Sequence, residues 1–245
     1  MSLLNIFPKS LGKLIDIIFP KLCPVCNSPL QIPSNAPLCK GCFSNIEKNL
    51  GPKCTICDEP FSAKSANSHI CGRCLKEPPY FNRAYSLFLY NGAIEALIKG
   101  FKYRKDFSCL NALITLCKKE KVLEHFKDVH VILPVPLHRN KLKKRGFNHS
   151  YLIAKRLFPT KKVASNLVIK IVDNKPQMSL PAKKRAENIK GVFLIEDKTY
   201  LKKYKNYLIV DDIMTTGATV NEVAKVLKRG GASKIFVLTI ARTPI

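Results

Sequence analysis

The chain has 245 residues and a mass of 27.6 kDa, and its composition is 46% hydrophobic and 24% charged. These values are typical of a globular protein of one or two domains and exclude a mainly disordered chain. Lys and Arg number 42 against 17 for Asp and Glu, which gives a formal net charge of +25. An excess of this size favours polyanionic partners such as nucleic acids or phosphorylated small molecules, but it does not choose between them.

The first 22 residues predict a short amphipathic N-terminal helix. Leu11, Leu14, Ile15 and Ile18 recur at helical spacing, while lysines and two prolines interrupt the apolar stretch. Nowhere in the sequence do eighteen apolar residues follow one another, so we expect no transmembrane helix and no stable membrane insertion. The segment also differs from a signal peptide, which makes the cytoplasm the expected location.

Eight of the ten cysteines form four CxxC pairs before residue 75. Two thiolates separated by two residues can bind one ion, and two such pairs complete the tetrahedral sulfur shell that zinc prefers. The loops within the two halves have twelve and thirteen residues, so the halves are near copies. We predict a double zinc ribbon over residues 23–78 that holds two zinc ions. The ligands are Cys23, Cys26, Cys39 and Cys42 for one ion, and Cys54, Cys57, Cys71 and Cys74 for the other.

Three alternatives to this arrangement stay open at the level of the sequence. They are a disulfide framework, an iron–sulfur cluster, and a crossed arrangement in which alternate pairs share an ion. Disulfides need an oxidising compartment, which the expected cytoplasmic location disfavours. Among the remaining candidates, His69 is more typical of a loop residue than of a ligand, and Cys117 is predicted to be a small buried side chain.

Residues 79–245 carry most of the charge and alternate strand-like with helix-like patterns. They hold 33 of the 42 basic residues and 12 of the 17 acidic ones. The predicted strands are 84–90, 129–135, 167–172, 207–210 and 234–240, and the predicted helices are 93–103, 107–124, 149–158 and 218–229. The alternation indicates an α/β domain with a mainly parallel sheet flanked by helices. Ligands of such sheets bind at the carboxyl ends of the strands.

The most specific motif is LIVDDIMTTGATV at residues 208–220, where a strand ends in Asp211 and Asp212. The threonine-rich turn that follows opens a helix, and its amides and hydroxyls suit a phosphate group. The two carboxylates suit ribose hydroxyls or a hydrated magnesium ion. In the simpler interpretation, the aspartates only end a strand and a threonine only caps a helix. The predicted phosphate-binding residues are Thr215, Thr216, Gly217, Ala218 and Thr219.

This motif resembles the signature by which type I phosphoribosyltransferases bind phosphoribosyl pyrophosphate (PRPP). Two further segments extend the similarity: LPVPLHR at 133–139, which leads to KRGFN at 144–148, and KPQMSL at 175–180, which leads to residue 193. Together with the CxxC pairs, they make nearly the whole chain similar to the ComF family, the competence-associated phosphoribosyltransferase-like proteins of naturally transformable bacteria. The resemblance implies a type I phosphoribosyltransferase-like sheet behind a small double zinc ribbon.

The resemblance also implies roles for individual residues. The loop after the strand at 131–135 receives the diphosphate, which places Leu137, His138 and Arg139 beside PRPP. Residues 177–188 resemble a mobile hood in which Arg185 neutralises the charge of the diphosphate. Magnesium is expected to bind together with PRPP. The residues expected to carry any catalysis are Asp211, Asp212 and Arg185.

His149 departs from the pattern, since the resemblance leads us to expect Gln after the RGFN segment. A surface position at the start of a helix is at least as compatible with the sequence as an acid/base role. We interpret His138, which follows two prolines, as a positioning residue and not as a catalytic one.

Two functions are compatible with these features. The first is a ComF-type competence protein that handles incoming single-stranded DNA in the cytoplasm, binds PRPP, and works with a competence helicase or other DNA-processing proteins. The second is a metabolic enzyme that transfers phosphoribosyl from PRPP to a nucleobase or an amine. The resemblance favours the first, and no acceptor pocket can be assigned from the sequence, so catalysis itself is left open.

Three segments interleave aromatic with basic residues: 101–105, 141–147 and 202–207. Such a mixture suits single-stranded nucleic acid, because phosphates are attracted by the cations and bases stack on the rings. A solvated lysine-rich surface is the simpler alternative for any one of them.

Overall fold

The structure is a computed structural model that describes residues 20–30, 36–61, 67–173, 189 and 191–244. The predicted N-terminal helix, apart from its last three positions, lies outside the described residues, and so do the predicted hood at 177–188 and Arg185. In the described ranges, no helix combines the length and apolar character that crossing a membrane requires.

A sheet of five parallel strands forms the centre of the α/β domain, in the order β1-β7-β6-β2-β3. A separate antiparallel pair consists of β4 and β5. Both faces of the main sheet are covered, which explains why its strands are nearly continuous apolar runs. The strands are β1 (Arg83–Leu89), β2 (Val131–Pro134), β3 (Lys162–Val163), β4 (Val168–Lys170), β5 (Phe193–Ile195), β6 (Asn206–Met214) and β7 (Lys234–Arg242).

Helices cover the sheet on both sides, and β6 supplies apolar side chains to both cores. Leu208 and Val210 belong to the core that contains α3, α4 and α6, whereas Tyr207 and Ile209 belong to the core that contains α8. The helices are α1 (Lys40–Ser44), α2 (Gly72–Lys76), α3 (Gly92–Arg104), α4 (Phe107–Cys117), α5 (Arg139–Arg145), α6 (His149–Leu157), α7 (Thr199–Lys203) and α8 (Ala218–Arg229), with a 3₁₀ helix at Lys121–Phe126.

Four details differ from the sequence-based prediction. The predicted helix at 107–124 ends at Cys117, and a 3₁₀ helix follows it. The basic stretch at 139–145, where the sequence predicted no helix, is helix α5, capped by the His138 side chain. The predicted strand at 167–172 shortens to β4 and pairs with β5 instead of joining the main sheet. Finally, β6 continues to Met214 because it stays paired with β7, so both aspartates lie within the strand.

The segment between the two zinc-ribbon halves covers the free edge of β1. Leu89 donates its backbone N–H to the carbonyl of Glu47 at 2.9 Å, and Asn49 donates to the carbonyl of Leu87 at 3.0 Å. Covering an edge strand in this way satisfies backbone groups that would otherwise be open to another chain. The zinc ribbon is therefore hydrogen-bonded to the edge of the sheet. The domain boundary at residue 78 stays a prediction.

Arg242, at the end of β7, attaches the second ribbon half to the sheet. Its side chain is fully buried, and its Nε donates to Glu59 Oε2 at 2.8 Å while Nη1 donates to the carbonyl of Cys57 at 2.7 Å. Asp58 is also buried and accepts hydrogen bonds from Asn49 Nδ2 and from the backbone N–H of Ser86. Burial raises the pKa of Asp58. Ionic groups thus form much of the contact between ribbon and sheet.

We predict that Arg242→Met lowers the free energy of unfolding by about 3 kcal/mol, because it removes the nearer cation of Glu59 and the hydrogen bond to the Cys57 carbonyl, while Arg73 stays 3.8 Å from Glu59 Oε2. The measurement is urea unfolding of the zinc-loaded protein, with the zinc content checked in parallel. The double variant Glu59→Gln/Arg242→Met removes both charges and should recover part of the loss. A single variant within about 0.5 kcal/mol of the wild type, as is usual for surface substitutions, would contradict the buried ion pair.

Candidate functional site

The turn between β6 and α8 has the form of an anion-binding loop. Gly217 takes a φ of +80°, a backbone conformation that residues with a Cβ atom rarely adopt, so the turn favours glycine at this position. Thr216 Oγ1 accepts a weak hydrogen bond from the backbone N–H of Ala218 at 3.4 Å. Helix α8 has twelve residues and begins at this turn, so its first amides and its positive end point toward the loop.

The loop lies at one end of a cavity of about 430 Å³ at the carboxyl ends of β2, β6 and β7. This volume is within the usual range for small-molecule sites. The structure brings eight sequence-predicted residues to the wall of this cavity: Leu137, His138, Asp211, Asp212, Thr215, Gly217, Ala218 and Thr219. Thr216 and Arg139 do not line it. Arg139 is exposed and lines a neighbouring cavity of about 820 Å³.

The two aspartates have different partners. Asp211 Oδ1 accepts a hydrogen bond from Ser150 Oγ at 2.8 Å and from the backbone N–H of Asp212 at 3.0 Å. Asp212 Oδ2 lies 2.6 Å from Lys102 Nζ, and the Asp212 residue is only 7% exposed. The floor of the cavity is thus a pair of carboxylates, one hydrogen-bonded and one in an ion pair.

Burial changes the protonation of this floor. Burial, together with the neighbouring charge of Asp212, raises the pKa of Asp211 to about 7. Burial alone would lower the pKa of Lys102. The nearby carboxylates of Asp212 and Asp211 have the larger, opposite effect, so the pKa of Lys102 is raised. Without a ligand, Lys102 is therefore the cation that neutralises Asp212.

Besides the aspartates, the cavity has a cationic wall. Lys141, Arg145 and Lys170 line the cavity together with Lys102. Burial, with a contribution from Lys141, lowers the pKa of Lys170 to about 8. An anion bound here would favour the charged form of Lys170, so the wall suits a ligand with several negative charges.

Asn148 fixes the loop that carries Leu137 and His138. Its Nδ2 donates to the carbonyl of Val135 at 3.0 Å, and its Oδ1 accepts the backbone N–H of Tyr151 at the start of α6. The RGFN segment therefore positions the loop after β2 relative to α6.

His149 is not a surface residue, because it is only 2% exposed. Burial lowers the pKa of His149 to about 4, so the ring is neutral near pH 7. Its Nδ1 lies 3.4 Å from Arg145 Nη1, which donates to it. Among the described residues, Nε2 has no hydrogen-bond partner. A neutral, buried ring that contacts Arg145 supports the cavity wall.

The cysteines form the two predicted groups. In each group the four sulfur atoms lie within 4.8 Å of one another. The distance is 3.6 Å between Cys26 Sγ and Cys39 Sγ and 3.7 Å between Cys57 Sγ and Cys71 Sγ. A tetrahedral zinc ion with Zn–S bonds of about 2.3 Å places its sulfurs roughly 3.8 Å apart, so both groups fit zinc. The cysteines group in the sequential arrangement and not in the crossed one, which supports the predicted ligand sets.

Five residues that sequence reasoning did not assign to the site also belong to it: Lys102, Lys141, Arg145, Ser150 and Lys170. Lys102 and Lys141 stood in segments that were singled out for basic–aromatic composition, and Arg145 stood both in such a segment and in the KRGFN segment of the resemblance. Ser150 and Lys170 gave no signal, because a lone serine or lysine is common and only the fold brings these two to the aspartates.

Comparisons with known proteins agree with this two-part architecture. The family model for the double zinc ribbon domain matches residues 14–75, and that for the phosphoribosyl transferase domain matches residues 142–245. Fold and cysteine groups together therefore define a phosphoribosyltransferase-like protein that carries a double zinc ribbon.

Relatives along nearly the whole chain identify the family. The chain is 30% identical to Competence protein F of Haemophilus influenzae, over 90% of this chain and 96% of that protein. It is 31% identical to DNA utilization protein YhgH of Escherichia coli K12, over 91% and 98%. It is 25% identical to Competence protein ComFC of Bacillus subtilis, over 84% of each chain. The chain belongs to the competence protein F (ComF) family.

We predict that Asp211→Asn stabilises the ligand-free protein, and more so at about pH 8 than at about pH 5. The folded-state pKa of about 7 lies above the value of about 3.9 for an unperturbed aspartate. Between about pH 4 and about pH 7, Asp211 is ionised in the unfolded chain but still protonated in the folded protein, so the free energy of unfolding falls as the pH rises. Above about pH 7 the loss of stability is complete. The melting temperature should rise by at least about 2 °C at the higher pH.

The control for this prediction is Asp128→Asn, which makes the same chemical change at an exposed position before β2. Its effect should be small at both pH values. The raised pKa would be contradicted if Asp211→Asn increased the melting temperature equally at the two pH values, or lowered the melting temperature at the higher pH.

Proposed function

We propose that this protein binds PRPP together with magnesium and handles single-stranded DNA in natural transformation. In this proposal it acts in the cytoplasm on strands that have entered the cell. A competence helicase or other DNA-processing proteins are its proposed partners. The proposal joins two kinds of support: the chemistry of the cavity and the names of the relatives.

The observation that carries the PRPP proposal is one cavity that joins an anion-binding loop, an acidic floor and a cationic wall. The loop at 215–219 suits the 5′-phosphate, since helix α8 begins there. Asp211 and Asp212 suit the ribose hydroxyls, because carboxylates are strong acceptors. The diphosphate is assigned to Leu137, His138 and the cationic wall. Arg139 and Arg185 stay proposed diphosphate ligands, Arg139 from an exposed position and Arg185 from outside the described residues.

Lys102 competes with the ribose for Asp212. It lies 2.6 Å from Asp212, so a ribose that binds to Asp212 must share this carboxylate with Lys102 or displace the ammonium group. Magnesium, held by carboxylate oxygens and by the diphosphate, would supply positive charge at the point where Lys102 is displaced. The structure therefore supports magnesium-dependent binding of PRPP.

The DNA part of the proposal is supported by charge and by the relatives. A net charge of +25 favours polyanions, and the relatives are named for competence and for DNA utilization. These names favour DNA handling over the transfer of phosphoribosyl to a metabolic base. They do not supply an acceptor, so the proposal commits to PRPP binding and leaves transfer aside.

We predict that Asp212→Asn weakens PRPP binding by about 10-fold or more, because a hydrogen bond to a charged acceptor is lost at a buried position. The measurement is calorimetric titration of the zinc-loaded protein with PRPP, with and without magnesium. Removing magnesium should also weaken binding by the wild type.

The matched control is again Asp128→Asn, which removes the same charge at the amino ends of the strands and should leave the affinity unchanged. The circular dichroism spectrum and zinc content show that each variant is folded. Equal affinities of Asp212→Asn and wild type would refute the ribose assignment. A folded, zinc-loaded wild type that binds no PRPP would refute the PRPP proposal as a whole.

A further inference from the structure

Two of the three basic–aromatic segments meet at the edge of the cavity. The guanidinium of Arg145, at the end of α5, lies 5.9 Å from the ring centroid of Tyr103, near the end of α3. Lys105 lies beside Gly146, because a Cβ atom built on this glycine would be 4.0 Å from Lys105 Nζ. Segments 101–105 and 141–147 therefore form one surface, although some forty residues separate them in the sequence.

We call this the rim surface, and its exposed and half-buried residues are Tyr103, Lys105, Phe107, Arg145, Phe147 and Arg156. Tyr103 is 59% exposed and Phe107 is 44% exposed, which is unusual for aromatic side chains. The ring centroids of Phe107 and Phe147 are 5.7 Å apart, and the guanidinium of Arg156 lies 6.0 Å from the Phe107 centroid. Aromatic faces and cations thus alternate along the rim surface.

A buried layer of rings fixes the rim surface in place. Phe101 is only 1% exposed and stacks on Phe147, with centroids 5.3 Å apart and planes inclined by 22°. It also makes edge contacts with Phe107 and with the neutral ring of His149. Because the layer joins α3, α4 and α6, the rings of Phe107 and Phe147 are held in position before any ligand binds, which reduces the entropy cost of binding.

The rim surface has little negative charge to oppose an anion. Asp106 is the one acidic residue within 101–107 and 141–147. It caps α4, where it accepts the backbone N–H of Ser108 at 2.8 Å and the Ser108 hydroxyl at 2.6 Å. Lys105, Arg145 and Arg156 supply the positive charge. Exposed rings beside fixed cations suit a strand whose bases are unpaired, since a duplex hides the faces of its bases.

We propose that the rim surface binds single-stranded DNA, with a base stacked on Tyr103 and neighbouring phosphates on Lys105 and Arg145. Tyr103 and Arg145 also line the cavity, so the bound strand passes the opening of the proposed PRPP site. This inference rests on the DNA part of the proposed function and gives it an address. Strand and PRPP then share the cationic side chain of Arg145.

A second surface of similar composition provides the matched control. The ammonium group of Lys203 lies 5.6 Å from the centroid of Tyr204, which stacks on His130. This surface precedes β2 and β6, at the amino ends of the strands, whereas the cavity lies at their carboxyl ends. It offers a tyrosine and a lysine far from the site, so the same pair of substitutions can be made at both ends.

The experiment titrates a fluorescent oligothymidylate of about 16 nucleotides with the full-length, zinc-loaded protein and follows anisotropy. Tyr103→Ala/Lys105→Ala should weaken binding by about 5-fold or more, because a stacked base and a phosphate contact are lost. For this variant, the slope of log affinity against log salt concentration should become shallower by roughly 0.7, because one phosphate contact is lost. Lys203→Ala/Tyr204→Ala should change neither quantity, and Tyr103→Phe should keep the wild-type affinity.

The outcomes separate failure of the inference from failure of the proposed function. Suppose that the wild type binds the strand. If only Lys203→Ala/Tyr204→Ala weakens this binding, or if both double variants have the same effect, the rim surface is refuted and the DNA proposal is left standing. A wild type that binds no strand refutes the DNA proposal itself. If poly-glutamate of equal charge, or duplex DNA, binds as tightly as the oligothymidylate, the rim surface is a site for acidic chains in general and the inference is wrong.

Discussion

The arrangement of the site depends on two adjacent carboxylates held at the end of a buried strand. Asp211 and Asp212 come from β6, but the groups that make their charge tolerable come from elsewhere: Lys102 from α3 and Ser150 from α6. A pair of like charges in a protein interior is unfavourable without such partners. The parallel topology brings the end of α3, the start of α6 and the end of β6 together, and a cationic wall follows from the same packing.

The zinc ribbon is linked to this site through the sheet. Arg242, the last residue of β7, binds Glu59 and the carbonyl of Cys57 in the second ribbon half. In the sheet register Arg242 is paired with Met214, the last residue of β6, immediately before the proposed phosphate-binding turn. Thr243 continues this contact by donating its backbone N–H to the Met214 carbonyl. The strand that binds the second ribbon half, β7, is therefore the neighbour of the strand that leads into the proposed phosphate loop, β6, and the ribbon contacts the sheet close to the point where that loop begins.

Sequence reasoning succeeded where the chemistry lies on consecutive or regularly spaced residues. The CxxC pairs predicted both zinc groups, and the run from Asp211 to the start of α8 placed an anion loop beside two carboxylates. It failed where a role depends on packing. Lys102 was part of a basic segment, and Ser150 gave no signal. For His149 the sequence left a surface position and an acid/base role open, whereas the rings of α3 and of the RGFN segment bury it. Strand β4 was assigned to the wrong sheet, because a short apolar run does not reveal its partner.

The most direct test of this account is an experimental structure of the protein with PRPP and magnesium. The account predicts the 5′-phosphate in the turn at 215–219, ribose hydroxyls within hydrogen-bond distance of Asp211 and Asp212, and Lys102 shared with the ligand or moved away from Asp212. A structure in which PRPP lies outside this cavity, or in which PRPP is bound while its ribose makes no contact with either aspartate, would contradict the central claim.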